Sequence, residues 1–482
     1  VNDATGGVAQ TATSYTPAQR LDFSKTYYWR VDEVNAPPTS HIEFKGEVWS
    51  FRTEPYAYPI ENITATASSS DAGMGPENTI NGSGLDANDL HSIASTAMWL
   101  SSSTGPQPTW IQYEFDRAYK LHQMWVWNYN AQFENIIGFG LKDVTVQYST
   151  NGVEWKALSD VQFAWGPGAA GYAHDTIVDF GGVVAKYVKI TAKSSWGGRA
   201  QYGLSEVRFF YIPVWAREPN PASGATGVGV DNVTVSWRAG REAASHKVYF
   251  STSRKAVIDE TISPVNIPAD SSYSSYNVGA LDLGRTYYWK VNEVNQAETP
   301  TIWEGDIWNF KTAEYLVVDD FEEYTDDVGS RIFQTWRDGY GFTEPAPGYP
   351  GNGTGSAVGK AQPPFAERTI VHSGRQSMPL GYDNSGAAGK ARYSETFREW
   401  ASPQDWTRYN IKALTLYFYG AAANAAEQPY VALEDNAGHV KVMNYADPAA
   451  VQKTAWQEWN IALSEFSAAG VNVKAVKKMY IG

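Results

Sequence analysis

The chain contains no cysteine. Disulfide cross-links, thiolate metal sites and cysteine nucleophiles are thereby excluded. So long a chain without a thiol fits an exported bacterial protein better than a cytosolic enzyme, so an extracellular or cell-surface location is expected. No apolar run approaches the ~20 residues that cross a bilayer as a helix, so no membrane span is expected. Cations are the minority: 38 Lys and Arg stand against 52 Asp and Glu, for a net charge of −14. A phosphate-binding surface needs the opposite sign, so nucleic acid is not an expected partner. Histidine is sparse as well. His41, His91, His122, His174, His246, His372 and His439 are scattered without metal-binding spacing. The sequence has no Gly-x-Ser-x-Gly elbow and no phosphate loop. Its acidic residues come in adjacent clusters, not as the isolated pair ~5–9 Å apart that hydrolyses glycosides. The chain is expected not to be an enzyme. It opens on Val1 without a charged-then-apolar leader, which reads as a processed or truncated piece.

Aromatic residues are abundant. There are 19 Trp and 30 Tyr, and with Phe they make 14% of the chain. Such residues favour strands. They also form platforms for sugar rings, whose apolar faces stack on aromatic ones, although most must serve as core. An internal repeat is plain. TYYWRVDEVN (Thr26 to Asn35) returns as TYYWKVNEVN (Thr286 to Asn295), and GEVWSFRT (Gly46 to Thr53) returns as GDIWNFKT (Gly305 to Thr312). Residues alternate in strand fashion within each copy. Only the second copy is preceded by further strands, VTVSW (Val233 to Trp237) and HKVYFS (His246 to Ser251). It resembles a fibronectin type III-like module over 213–313, and 1–55 reads as a partial module of the same kind, with its other half upstream.

Between the copies, short strand-like runs are separated by turn dipeptides such as Asn151-Gly152 and Gly181-Gly182. The expected fold class is all-β, in tandem β-sandwich and jelly-roll modules. PENTINGSG (Pro76 to Gly84), MWLSS (Met98 to Ser102), WIQYEF (Trp110 to Phe115), VTVQYSTNGVEW (Val144 to Trp155), KYVKI and GLSEVRFF (Gly203 to Phe210) together make 56–212 resemble the discoidin, or coagulation factor 5/8 type C, family. That family overlaps carbohydrate-binding module family 32. The final stretch, 314–482, opens on VVDDFEEYTDD (Val317 to Asp327) and resembles the galactose-binding-like jelly rolls of carbohydrate-binding family 11. That family returns to its opening strand with an Asp-rich pair. The chain ends before one, so this module is expected to be truncated.

The discoidin resemblance implies a structural Ca²⁺ held by the oxygen-rich loop around Asn81 and Asp86 and by Glu206 of the last strand. Asn81 stands where the family has Asp, which lowers the charge available to an ion that wants six to eight oxygens. An Asx-rich turn is the alternative. Sugar is expected on loops at one rim: 85–99, 128–138, 163–172 and 194–202. Asn128 and Asn130 offer amides to hydroxyls. Trp165, Trp196, Arg199 and Tyr202 lie in Gly-rich loops with no evident core role. Covering the end of the sandwich is the alternative for each. In the last module, Asp320 and Glu322 lie two apart and so on one face of a strand; resemblance implies a second Ca²⁺ there, and a solvated acidic run is the alternative. The expected function is carbohydrate binding or adhesion to a glycan, or to a cell-surface or matrix polysaccharide. Two alternatives stay open. One is a structural subunit that self-associates into an extracellular fibre, and the other is a set of accessory modules of a polysaccharide-degrading enzyme.

Overall fold

A computed structural model describes residues 10–19, 21–35, 42–269 and 273–482. The fold is all-β, with only short helical turns between strands. Among the described residues, no helix is long and apolar enough to cross a membrane. The chain divides into two compact units. One holds Val1–Ser223, Thr234–Tyr276 and Tyr287–Asn309; the other holds Gly224–Val233, Asn277–Thr286 and Phe310–Gly482. The division cuts through the second repeat.

In the first repeat, Thr26–Trp29 pairs antiparallel with Trp49–Arg52, and Glu33–Asn35 pairs with Ile42–Phe44. Between the repeats, nine strands are organised around one of 19 residues, Trp110–Asn128. Its first half pairs with Ile63–Ala67 and Val184–Ala192, and its second half with Thr176–Asp179 and Gly203–Tyr211. One strand therefore serves both layers of the sandwich. WIQYEF and LHQMWVWNYN read as two strands, yet they run together. The connecting residues Asp116–Lys120 contain neither Gly nor Pro to break the chain. A register slip opposite them, between Ala185 and Tyr187, lets the strand bend. Tyr113, Phe115, Val126, Val188, Ile190 and Phe209 fill the space between the layers. Phe209 is central, with Tyr113 and Phe115 each 5.1 Å away between ring centroids.

The second repeat completes a sandwich. Arg217–Asn220, Val233–Arg238 and Tyr273–Gly279 make one sheet. In the other, Ser245–Ser251 pairs with Val265–Pro268 on one side and with Thr286–Val294 on the other. Trp237 and Trp289 are fully buried between the layers.

The C-terminal stretch has a five-stranded sheet, ordered Trp336–Arg337, Thr396–Gln404, Val476–Ile481, Tyr430–Asp435, Val440–Asn444. Beside it in the same unit, Ala413–Tyr419 pairs with Trp456–Ala462. The expected opening strand is absent: 317–324 is irregular, with bends at Val318 and Phe321 and a turn at Glu322–Glu323. Phe321 has φ 64°, so side chains there do not alternate as they would along a strand.

Candidate functional site

Four loops of the central sandwich meet at one rim. The His91 N–H donates to the Tyr172 carbonyl, and the Gly197 N–H donates to the Gly138 carbonyl at 2.8 Å. Asn128 and Asn130 hold these loops from below. Both are fully buried. Asn128 Nδ2 donates to the carbonyls of Leu141 (2.7 Å) and Ala164 (2.6 Å), and its Oδ1 accepts from the Tyr129 N–H. Asn130 Nδ2 donates to the carbonyls of Ser92 and Ala169, and its Oδ1 accepts from Gly168 and Ala169. Every amide hydrogen of both residues is spent on backbone, so the expectation that they face sugar hydroxyls is corrected. They are staples. Buried amides must be satisfied, and the loops supply the partners. Tyr202 is also buried: its backbone N–H donates to Ser101 Oγ and its ring joins the core.

Trp165 and Trp196 do come together. Their rings lie 5.2 Å apart and 1° from parallel. Trp165 is 40% exposed. Its indole N–H donates to Glu134 at 3.3 Å, and that of Trp196 donates to the Phe163 carbonyl. Lys142 Nζ is 5.0 Å from the Trp196 ring centroid. Arg199 is exposed, and its Nε donates to the Ile137 carbonyl. The 128–138 loop was expected at the rim, but the turn within it that completes the rim was not. Glu134–Ile137 is one helical turn between two left-handed residues, Phe133 (φ 69°) and Gly138 (φ 68°). It lifts Phe133 and Ile136 into solvent, at 57% and 76% exposed. Glu134 itself is buried, accepting from the N–H groups of Gly140 and Phe139. Burial pushes its carboxyl above the usual range, against those donors. The signal in the sequence was the set of apolar residues Phe133, Ile136 and Ile137 in an otherwise polar loop closed by Gly138. The result is a rim of stacked indoles, an exposed phenyl ring and a guanidinium, the surface type that stacks on and hydrogen-bonds to a polyhydroxylated ring.

On the same sandwich, Glu206 is buried beside the loop 78–84. Among the described residues, both its oxygens accept the Gly82 N–H alone, at 3.3 Å. Burial pushes its carboxyl up to about 8, opposed by Gly82 and Arg208. A buried carboxylate so poorly satisfied suits a cation. Asn81 and Asp86 do not aim at it. Asn81 Oδ1 accepts from the Ser83 N–H, and Asp86 Oδ1 accepts from Asn88 and Leu90, so both close local turns. Among the described residues, no three His, Asp or Glu side chains group as metal ligands. Any ion here would rest on Glu206 and loop carbonyls.

The Asp320–Glu322 expectation is corrected on geometry. Asp320 Oδ1 accepts from the Glu322 N–H, and Glu322 accepts from the backbone of Arg375 and Gln376. Their neighbour Asp319 is the buried carboxylate, satisfied by Tyr324, Trp336 and Arg398. In the same unit a cleft of about 720 Å³ is lined by His372, Tyr382, Tyr393, Tyr417, Tyr419 and Trp456 among others. The His372 ring stacks on Tyr417 at 3.8 Å.

A family model described as F5/8 type C domain matches residues 64–207. No curated protein matches the chain. Solved structures are similar over about a third of it, among them the following three. One is the family 32 carbohydrate-binding module of NanJ from Clostridium perfringens in complex with galactose, at 18% identity, covering 32% of this chain and 98% of that one, TM-score 0.25. Another is CBM32-3 from a family 31 glycoside hydrolase of Clostridium perfringens, at 16% identity, covering 32% and 95%, TM-score 0.26. The third is a family 89 glycoside hydrolase of Clostridium perfringens in complex with PUGNAc, at 15% identity, covering 32% of this chain but 14% of that one, TM-score 0.24. Residues 64–207 are an F5/8 type C domain carried within a longer all-β chain.

Proposed function

We infer that the F5/8 type C domain binds carbohydrate without catalysis, at the rim formed by Trp165, Trp196, Phe133 and Arg199. The observation that carries this reading is the parallel, stacked indole pair, with Trp165 open to solvent. A pyranose face stacks on the exposed indole, and the Arg199 guanidinium donates to hydroxyl or acidic groups. Such sites are weak singly and gain from multivalency. The aromatic cleft around Tyr417 and Trp456 is a second place for sugar in the same chain. Ca²⁺, where bound, sits against Glu206 and stiffens the 78–84 loop. The protein acts outside the cell, by attachment to a glycan or polysaccharide or as an accessory part of a glycan-degrading assembly.

A glycan array probed with the whole chain tests this. Binding to at least one glycan is expected, and Trp165→Ala should weaken it at least tenfold, since base- or sugar-type stacking on an indole contributes about 1–3 kcal/mol. Binding that survives Trp165→Ala at full strength would sink the rim as the site.

A further inference from the structure

Charge is distributed unevenly over the rim of the F5/8 type C domain. The chain carries a net charge of −14, with acidic residues in the majority. Yet the loops 128–138, 163–172 and 194–202 contain a single carboxylate, Glu134. It is buried, and its Oε1 accepts from the Gly140 N–H at 2.7 Å and from the Trp165 indole N–H at 3.3 Å. That carboxylate is spent beneath the indole platform. The fourth loop, 85–99, carries Asp86 and Asp89. Asp89 is matched by both terminal nitrogens of Arg208, at 2.8 and 2.7 Å. Asp86 Oδ1 is turned onto the N–H groups of Asn88 and Leu90.

Two cations of the same rim are not matched in this way. Arg199 is exposed but pinned at its backbone: its N–H donates to Ser195 Oγ at 2.8 Å, and that hydroxyl donates back to the Arg199 carbonyl. Its Nε donates to the Ile137 carbonyl at 3.3 Å. Among the described residues, its terminal nitrogens make no hydrogen bond or ion pair, and the guanidinium carbon lies 5.9 Å from the Phe139 ring centroid. Lys142 enters the rim between two loops, its N–H donating to the Ser194 carbonyl and its carbonyl accepting from the Phe163 N–H. Its ammonium lies over the Trp196 ring. Asp143, next along the chain, is held by Ser194 Oγ and Gln162 Nε2, and among the described residues it makes no ion pair with Lys142. By contrast Lys193, just before the 194–202 loop, is paired with Asp160 at 2.6 Å.

We propose that this rim selects acidic glycans. One sugar ring stacks on the open face of Trp165, and its carboxylate or sulfate ester takes the terminal nitrogens of Arg199. Lys142 adds positive charge beside the indole pair. A guanidinium fork matches a carboxylate through two parallel hydrogen bonds, and a sulfate ester offers the same kind of anionic oxygens. Both cations are positioned in advance, Arg199 by Ser195 and Lys142 by the loops it joins, so little ordering cost is left for binding. Selection has a repulsive side as well. An anionic polymer is held off by the acidic remainder of the chain and finds two unpaired cations at the rim. The proposal rests on the rim being a carbohydrate site and adds the class of carbohydrate it takes.

Calorimetric titration of the whole chain tests this. The probes are polygalacturonate and alginate, each beside its carboxyl-reduced form, and a sulfated galactan beside its desulfated form. At least one acidic probe should bind roughly tenfold or more tightly than its neutral counterpart. A preferred uronan assigns the carboxylate as the recognised group, and a preferred sulfated galactan assigns the sulfate ester. In the wild-type chain that preference should shrink when NaCl is raised to about 0.5 M, where exposed charges are screened within a few ångström. Arg199→Gln combined with Lys142→Gln should bring the ratio of acidic to neutral binding close to one. Trp165→Ala should weaken both members of a pair alike and leave that ratio unchanged. Equal binding of both members of every pair, lost in Trp165→Ala, would overturn the charge selection and leave the rim standing as a sugar site. Binding to no acidic probe would overturn the proposal as well, and a glycan array then decides whether the rim binds any sugar. A preference that ignores salt and survives the double substitution would also overturn it, and the salt response is read without any variant.

Discussion

Asn128, the last residue of the long strand, and Trp165, in a loop of the same rim, differ in where their polar atoms are spent. Asn128 has every amide hydrogen on a backbone carbonyl, whereas Trp165 uses its one N–H on Glu134 and leaves an indole face to solvent. An Asn in a loop is equally able to bind sugar or to staple backbone, and only the carbonyls around it decide. Glu206 is the other residue of consequence. Its folded carboxyl, raised to about 8, lies far above an ordinary Glu. The metal-free native state therefore binds an extra proton between about pH 4.3 and 8, and stability falls as pH rises through that window, by up to about 1.4 kcal/mol per pH unit. Thermal unfolding in chelator should show the melting temperature dropping from pH 5 to pH 8. Glu206→Gln should flatten that slope. Millimolar Ca²⁺ should raise the wild-type melting temperature at pH 8 and leave Glu206→Gln unmoved. A chelator-insensitive wild-type profile would argue against the ion.

Among the elements, the single turn Glu134–Ile137 does most to shape the rim. Gly138 closes it with φ 68°, and a Cβ there would lie 2.2 Å from the Gly197 nitrogen. Gly138→Ala meets both a strained backbone and a backbone clash, so the 128–138 and 194–202 loops must part. Glycan binding should fall at least tenfold while the global melting temperature drops only a few degrees, read by titration and calorimetry on the same sample. A variant that binds normally would mean that the two loops need not touch. The long strand Trp110–Asn128 was legible as strand but not as one strand, because its bend lies in pairing partners far along the chain. The opening of the last module was misread for a related reason. VVDDFEEY was expected as a strand from the family resemblance alone; its apolar and acidic residues do not alternate, Phe321 turns the backbone, and no neighbour pairs with it among the described residues.

Across the larger unit, the segment joining the first repeat to the F5/8 type C domain is pinned by the second repeat. Glu54 lies within 2.6 Å of Arg238 and 3.1 Å of Arg241, with Arg217 at 3.4 Å. Arg241 also donates to the carbonyls of Pro55 and Tyr56. Lys120, nearly buried, reaches Glu242 and Glu298 in the same way. Burial alone would raise the Glu54 carboxyl, but Tyr58, Arg241 and Arg238 hold it down at about 2. Its folded pKa lies below its unfolded one. The contribution is therefore complete above about pH 4.3 and is lost as pH falls toward 2. Glu54→Gln should lower the melting temperature at pH 7, and the gap to wild type should close by pH 2. A gap that stays constant with pH would assign the effect to something other than the ion pairs.

The amino-acid order alone determined that the chain is all-β, that a segment is repeated, and that 56–212 resembles the F5/8 type C family, which the family match places at 64–207. Alternation, turn dipeptides and the aromatic repeats are local signals, and local signals survive without knowledge of the fold. Which polar side chains face solvent was decided only by the tertiary structure. Asn128 and Asn130 turned inward, Asp86 and Asn81 closed their own turns, and Glu206 was left with one weak donor. Whether an aromatic strand is core or surface was decided there too. The repeated TYYW segment is buried at Trp289 and open at Trp29 because burial depends on a second sheet, which a strand's own residues do not contain.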